Sequence, residues 1–198
     1  MRHDDRADRP VWRVTSGEPA PDAVERLLRM LPRWFGIESS VLEYVAASRT
    51  LPAYLAWPGG PQAGSMQVAG PQAGSTQVAG PQVAQPSGVL LGVRHFPASA
   101  EIYLMAVDPA WHRRGAGRAL VTALEADLIA QGVEFLQVKT QGPGRPDAGY
   151  EKTRQFYTDV GFRPLEEIHG LWPGIPSLIM IKSLRRGGRA SMPDRPAQ

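Results

Sequence analysis

The chain predicts an α/β fold, a mixed sheet flanked by helices in a single domain, and three observations carry that reading. In the second half, runs of β-forming residues alternate with helical periodicities, the pattern of a sheet covered by helices. Ala116, Leu120, Leu124 and Leu128 recur every fourth residue, with Val121 and Ile129 beside them, and write one apolar helical face. The 198 residues, 42% of them apolar, suffice for one hydrophobic core.

Taken in order, Val11–Val14 reads as a short strand. Pro21–Phe35 reads as a helix that Asp22 can cap, with Val24, Leu27, Leu28 and Leu31 at helical spacing. Pro32 must kink or end it. Glu38–Ser48 is a second helical stretch with Val41, Tyr44 and Val45 on one side, and Leu51–Trp57 is a strand. Gly88–Phe96 and Glu101–Val107 form a hairpin around Pro97, Ala98 and Ser99. A helix over Gly115–Gln131 stops at Gly132, a strand follows at Glu134–Thr140, and a helix over Tyr150–Val160 stops at Gly161. Pro164–Glu167 and Leu178–Leu184 are the terminal strands, joined by the loop His169–Ser177.

The 21 Gly and 19 Pro, about a fifth of the chain, are unevenly placed. From Gly60 the chain repeats GPQAGSMQVA, then GPQAGSTQVA, then a degenerate GPQVAQP ending at Pro86. One Val per ten-residue unit buries little surface, and two and a half units are too few for a stacked array. Residues 58–87 are therefore expected to be a low-complexity insertion between structured segments. Charge is also localised. Arg185, Arg186, Arg189 and Arg195 against Asp194 account for the whole formal charge of +3, so the body is neutral. That tail has no aromatic residue to stack on bases, and no nucleic-acid partner is expected. Residues 1–10 read as a flexible N-terminus and 185–198 as a basic disordered tail.

Zero cysteines exclude disulfides, cysteine-ligated zinc or iron–sulfur sites and a cysteine nucleophile. The longest apolar runs fall far short of the ~20 residues that span a bilayer, and MRHDDRADRP lacks an apolar leader core. A cytoplasmic protein without a membrane partner is the expectation.

The stretch most informative about chemistry runs from Val107 to Leu120, VDPAWHRRGAGRAL. A strand ends, a loop turns through Gly115 and Gly117, and a helix begins. Such a loop directs several free backbone N–H groups and the positive end of the helix dipole at one spot. Gly115 and Gly117 allow close approach of a ligand, and Arg113, Arg114 and Arg118 add charge, so a pyrophosphate suits the loop. No Lys-Ser/Thr follows, so it is not a P-loop, and the third glycine of a dinucleotide fingerprint is missing. A basic helix N-terminus with a glycine turn has the same pattern.

The VDP and HRRGAG of this stretch resemble the pyrophosphate loop, Q/R-x-x-G-x-G/A, of the GNAT superfamily of acyl-CoA-dependent N-acetyltransferases, with His112 standing where Gln or Arg is usual. Tyr150–Phe162, with its F-Y-x-x-x-G-F ending, is similar to the family's last helix, although Tyr150 stands at the usual Asn. The resemblance covers about Gly88 to Leu184. It implies one acetyltransferase domain over residues 11–184, with a central, mostly antiparallel mixed sheet splayed between its fourth and fifth strands. It implies acetyl-CoA as cosubstrate, held by the backbone of Met105, Ala106 and Val107, by the loop His112, Arg113, Arg114, Gly115, Ala116, Gly117 and Arg118, and by Tyr150. Catalytic roles follow for Tyr157, as proton donor to the departing thiolate, and for Glu101, as a base whose pKa burial would raise. Tyr157 could instead pack against the sheet and Glu101 could be an exposed strand edge. His95 is the alternative base, and Phe156 is the expected core residue beside Tyr157.

The implied reaction is direct transfer of acetyl from acetyl-CoA to a primary amine, without a covalent enzyme intermediate. The acceptor, a small molecule or a peptide, would be chosen by residues 33–54 and 169–177. There Trp34, Tyr44 and Trp172 could line an apolar pocket or belong to the core, and Glu38, Glu43, Glu166 and Glu167 could attract a cation. A homodimer stays open. The departures at His112 and Tyr150 leave an alternative, a CoA-binding sensor or interaction module whose catalytic geometry has decayed.

Overall fold

A computed structural model describes residues 10–59 and 84–185. Its elements are strand β1 (Val11–Ser16), helices α1 (Pro21–Arg29) and α2 (Glu38–Ala47), strands β2 (Ala53–Gly59), β3 (Gly88–Phe96) and β4 (Ser99–Val107), helix α3 (Ala116–Ala130), strand β5 (Phe135–Gln141), helix α4 (Ala148–Asp159), and strands β6 (Arg163–Trp172) and β7 (Ile175–Ser183). The seven strands follow the order β1-β2-β3-β4-β5-β7-β6. Pairing is antiparallel for β1 with β2, β2 with β3, β5 with β7 and β6 with β7, and parallel for β4 with β5. This is the mixed, mostly antiparallel sheet expected. The β4–β5 ladder joins Ser99–Ile102 to Phe135–Val138 and goes no further, although β4 runs on to Val107.

The described residues group into two compact units, one of residues up to 93 with 103–124, the other of 94–102 with 125 onward. In the first, Val24, Leu27 and Leu28 of α1, Leu31, and Val41 of α2 pack with Ala53, Val89, Leu91, Leu104 and Ala106. Full burial of each large apolar side chain contributes about 1.5–3 kcal/mol. Pro21 takes the first helical position of α1, where its missing N–H costs nothing. The cap is Ala20 without a side-chain hydrogen bond, so Asp22 is not the cap. The helix ends at Arg29 rather than Phe35, because Pro32 cannot donate to a preceding carbonyl. Tight turns replace the last expected stretch, with Leu31 N donating to Leu28 O and Phe35 N to Leu31 O. Arg29 then binds both Glu25 and Glu38, joining α1 to the start of α2. Glu38 is thus already engaged.

Gly88 and Gly92 on β3 lie under α3. A Cβ on either would stand 3.1 Å from a methyl of Leu120 or Leu124, so the strand surface is hollowed where the helix rests. Pro58 and Gly59, expected to open the insertion, belong to β2. Among the described residues, that strand beyond Ala56 pairs with β1 alone, so there Pro58 has no second neighbour needing its N–H. The repeat over 60–83, residues 1–9 and the tail from 186 lie outside the described residues.

In the second unit β5 and β7 supply Leu136, Val138, Leu178 and Met180 to the interior. Asp147 caps α4 by accepting from Gly149 N at 2.7 Å and Tyr150 N at 3.0 Å, and Gly161 ends the helix at φ +100°. The expected loop over residues 169–177 is mostly strand. β6 reaches Trp172 and β7 starts at Ile175, so only Pro173 and Gly174 turn. Leu165 and Leu171 point outward, and β6 buries no residue fully.

Candidate active site

Five residues downstream of Val107, the turn into α3 is held by side chains from the loop and from β1. Asp108 opens a 3-10 turn at Pro109–Trp111 by accepting from Ala110 N at 2.9 Å. His112 Nε2–H donates to the carbonyl of Val107 at 2.8 Å, and its ring meets Trp34 edge-on at 6.3 Å. Arg113 then takes a left-handed conformation at φ +60°, which is costly for a residue with a Cβ, and Gly115 follows at φ +96°. Between them the carbonyl of Arg114 accepts from Trp12 Nε1 at 2.9 Å. The Trp12 and Trp111 rings cross at 82° with centroids 5.4 Å apart, and the Arg114 guanidinium lies 5.5 Å from the Trp111 ring centre.

Gly115 is the half-in residue before α3, because its carbonyl accepts from Ala119 N at 3.0 Å. The amides of Ala116, Gly117 and Arg118 precede the first intrahelical acceptor and face forward at the positive end of the helix. Arg113 and Arg114 are exposed beside them, Ala116 is buried, and Gly117 is half-buried. Oriented amides, a glycine turn and exposed guanidinium groups are the kind of donor set a pyrophosphate calls for. Met105, Ala106 and Val107 lead into it along β4, with Ala106 buried and its neighbours half-buried.

Glu101 belongs to the second unit. It is buried, and its Oε2 receives Lys139 Nζ at 2.6 Å, His95 Nε2 at 2.7 Å and Gln137 Nε2 at 3.0 Å. Parallel pairing sets Glu101 opposite Gln137 and so brings Lys139, two residues on, to the same face. Burial acts to raise the carboxyl pKa, but the hydrogen bonds from Lys139, His95 and Gln137 together outweigh it and hold the group below the ordinary glutamate range. The expectation of a raised value is therefore reversed, and Glu101 is not an exposed edge residue. A shallow cleft of about 330 Å³ lies beside this cluster, lined by His95, Phe96, Ser99, Gln137 and Lys139.

Tyr157 is buried in α4, with its ring edge-on to Phe156 at 5.3 Å and Phe162 at 5.5 Å. Burial pushes its phenol above the ordinary tyrosine value and keeps it protonated. Phe156, expected in the core, is only half-buried, and Tyr157 takes that place. Tyr150 sits in the first turn of α4, half-buried, with its phenol raised first by burial and then by the charge of Asp147. Of the acceptor candidates, Trp34 and Tyr44 pack at the edge of the α1–α2 core, and Glu167 accepts from Gly144 N at 3.1 Å.

The structure thus joins Met105–Val107 to the loop His112–Arg118 in one unit and gathers Glu101 with His95 in the other, where Tyr150 and Tyr157 share α4. Trp12, Lys139 and Gln137 carry no sequence motif that marks them. Lys139 and Gln137 show the two-residue spacing of one strand face, but nothing in the chain pairs that face with Glu101.

Residues 79–164 match the family model described as an acetyltransferase (GNAT) domain. Solved structures share the fold at low identity. The ribosomal-protein-S18-alanine N-acetyltransferase of Escherichia coli is 17% identical, with TM-score 0.61, over 91% of this chain and 98% of that one. An aminoglycoside 6'-N-acetyltransferase complexed with coenzyme A is 15% identical, with TM-score 0.60, over 89% and 99%. Ard1 from Thermoplasma volcanium is 16% identical, with TM-score 0.56, over 87% and 99%. No curated protein sequence matches. Among the described residues no helix is long and apolar enough to cross a membrane.

Proposed function

We propose that the chain, whose residues 79–164 match the acetyltransferase (GNAT) domain model, moves an acetyl group from acetyl-CoA to a primary amine by direct transfer. The observation that carries the reading is the turn at Arg113–Gly115, which presents the first amides of α3 beside two exposed arginines. Acetyl-CoA supplies the activated acyl group and a thiolate leaving group. The amides of Gly115–Arg118, with Arg113 and Arg114, would hold its pyrophosphate. The backbone of Met105–Val107, beyond the end of the β4–β5 ladder, would pair with its pantetheine arm and polarise the thioester oxygen.

Tyr157 acts as the general acid, kept protonated by burial across the working pH range. Glu101 stays ionised under its three donors and acts together with His95, whose ring is partly exposed at the cleft. With Nε2–H on the carboxylate, the other ring nitrogen of His95 is left to take the acceptor's proton, and Glu101 stabilises the imidazolium that results. The acceptor is a small amine or a free peptide amine.

The three donors gathered on Glu101 Oε2 favour one second reading, CoA binding without transfer. Thiol release from acetyl-CoA across a panel of polyamines, free N-terminal peptides and lysine peptides, run beside calorimetry with CoA, separates the two. Binding with release supports transfer. Binding with no release across the panel supports the second reading, and no binding overturns both.

A further inference from the structure

From the same loop we infer that Trp12 is a positioning residue for the cofactor, 102 residues away in sequence from the carbonyl it holds. The inference rests on the acetyl-CoA reading above. A peptide unit is planar and trans, so the carbonyl of Arg114 and the N–H of Gly115 point in opposite directions. When Trp12 Nε1–H holds that carbonyl at 2.9 Å, it turns the Gly115 N–H away from the indole.

The loop does not secure this orientation by itself. Arg114 N reaches Trp111 O only at 3.4 Å and His112 N reaches Pro109 O at 3.2 Å. Arg113 and Gly115, on either side of the held carbonyl, are both left-handed, and a glycine lets the peptide before it rotate cheaply. The indole also lies along the turn, since a Cβ built on Gly115 would stand 3.5 Å from Trp12 Nε1. Trp111 meets the indole edge-on and fixes its plane. Removing the indole N–H therefore releases a contact from outside the loop that fixes the 114–115 peptide plane. The Gly115 amide then loses its direction.

The test is Trp12→Phe, which keeps an aromatic ring against Trp111 and deletes the donor. Thr15→Val is the control. It removes the acceptor of the Trp57 indole on the same strand, at 3.1 Å, without touching the loop. In Trp12→Phe the Kd for CoA and the KM for acetyl-CoA should rise about fivefold, the order of one net hydrogen bond, with kcat at saturation unchanged. Amide hydrogen exchange over 113–117, read without ligand, should accelerate while exchange in β2 stays as in wild type. Thr15→Val should leave all of these at wild-type values. Unchanged CoA affinity and unchanged loop exchange in Trp12→Phe overturn the inference, as does an equal loss in Thr15→Val. Where the wild-type chain itself binds no CoA, the cofactor reading falls, and the loop-exchange comparison alone decides whether Trp12 orders the turn.

Discussion

Lys139→Met tests whether the carboxylate of Glu101 is ionised and held in place. The Lys139 ammonium lies 2.6 Å from Glu101 Oε2, with the two side chains 27% and 6% exposed. Removing one partner of a fully buried pair costs about 3–5 kcal/mol. Here solvent reaches the lysine, and Gln137 and His95 remain on the same oxygen, so the cost falls to about 1–2 kcal/mol. For a chain of this length that is a Tm lower by about 3–6 °C. The sign with pH follows from the lowered pKa. In wild type the cluster's contribution is present above the ordinary glutamate range and is lost as pH falls through the lower folded-state value. The deficit of Lys139→Met should therefore be full at pH 7 and shrink as pH falls below the ordinary glutamate range and Glu101 takes up a proton. Denaturant titrations of both proteins at pH 7, 5 and 3.5 measure it. The same deficit at pH 7 and pH 3.5 would refute an ionised, cation-held Glu101, as would Glu101→Gln failing to reduce the cost of Lys139→Met in the double variant.

Three further outcomes follow from the geometry. Tyr157→Phe should lower kcat about a hundredfold with little change in the KM for acetyl-CoA, read by thiol release; an unchanged kcat removes the phenol from the chemistry. Gly117→Trp should abolish CoA binding in calorimetry, because an indole in the first turn of α3 fills the space a phosphate needs, and retained micromolar affinity would place the cofactor elsewhere. Gly92→Val should cost about 1–3 kcal/mol in thermal unfolding, since its side chain meets Leu124 where a single Cβ already stands at 3.1 Å; an unchanged Tm would mean that α3 moves freely over β3.

Much of this fold can be read along the chain because its signals are local. The four-residue apolar spacing gives α3, Gly132 and Gly161 give the two helix ends, and the strand–glycine–helix passage gives the loop. The failures share a cause. β6 buries no residue fully, so it shows no alternation, and its glycine and proline content reads as loop although only Pro173 and Gly174 turn. Phe156 and Tyr157 are adjacent and similarly apolar. Which one faces inward depends on the rotation of α4, where Gly149 and Tyr157 form the buried stripe. The family resemblance points to Glu101 as a base, but the direction of its pKa comes from β5, through a parallel register that neither strand encodes alone. Trp12 carries no local sign of its tie to Arg114.

The place of β7 has a consequence for biosynthesis. It follows both β5 and β6 in the chain, yet it lies between them and pairs with each. On the ribosome β6 emerges before the strand it joins, since β7 is its one neighbour among the described strands, and the far side of β5 waits for the same strand. The β1–β2–β3 ladders need no later strand and can close while synthesis continues. The nascent chain therefore passes through a stage with one half paired and the other presenting two bare strand edges, the period in which a chaperone or a wrong partner has its opportunity.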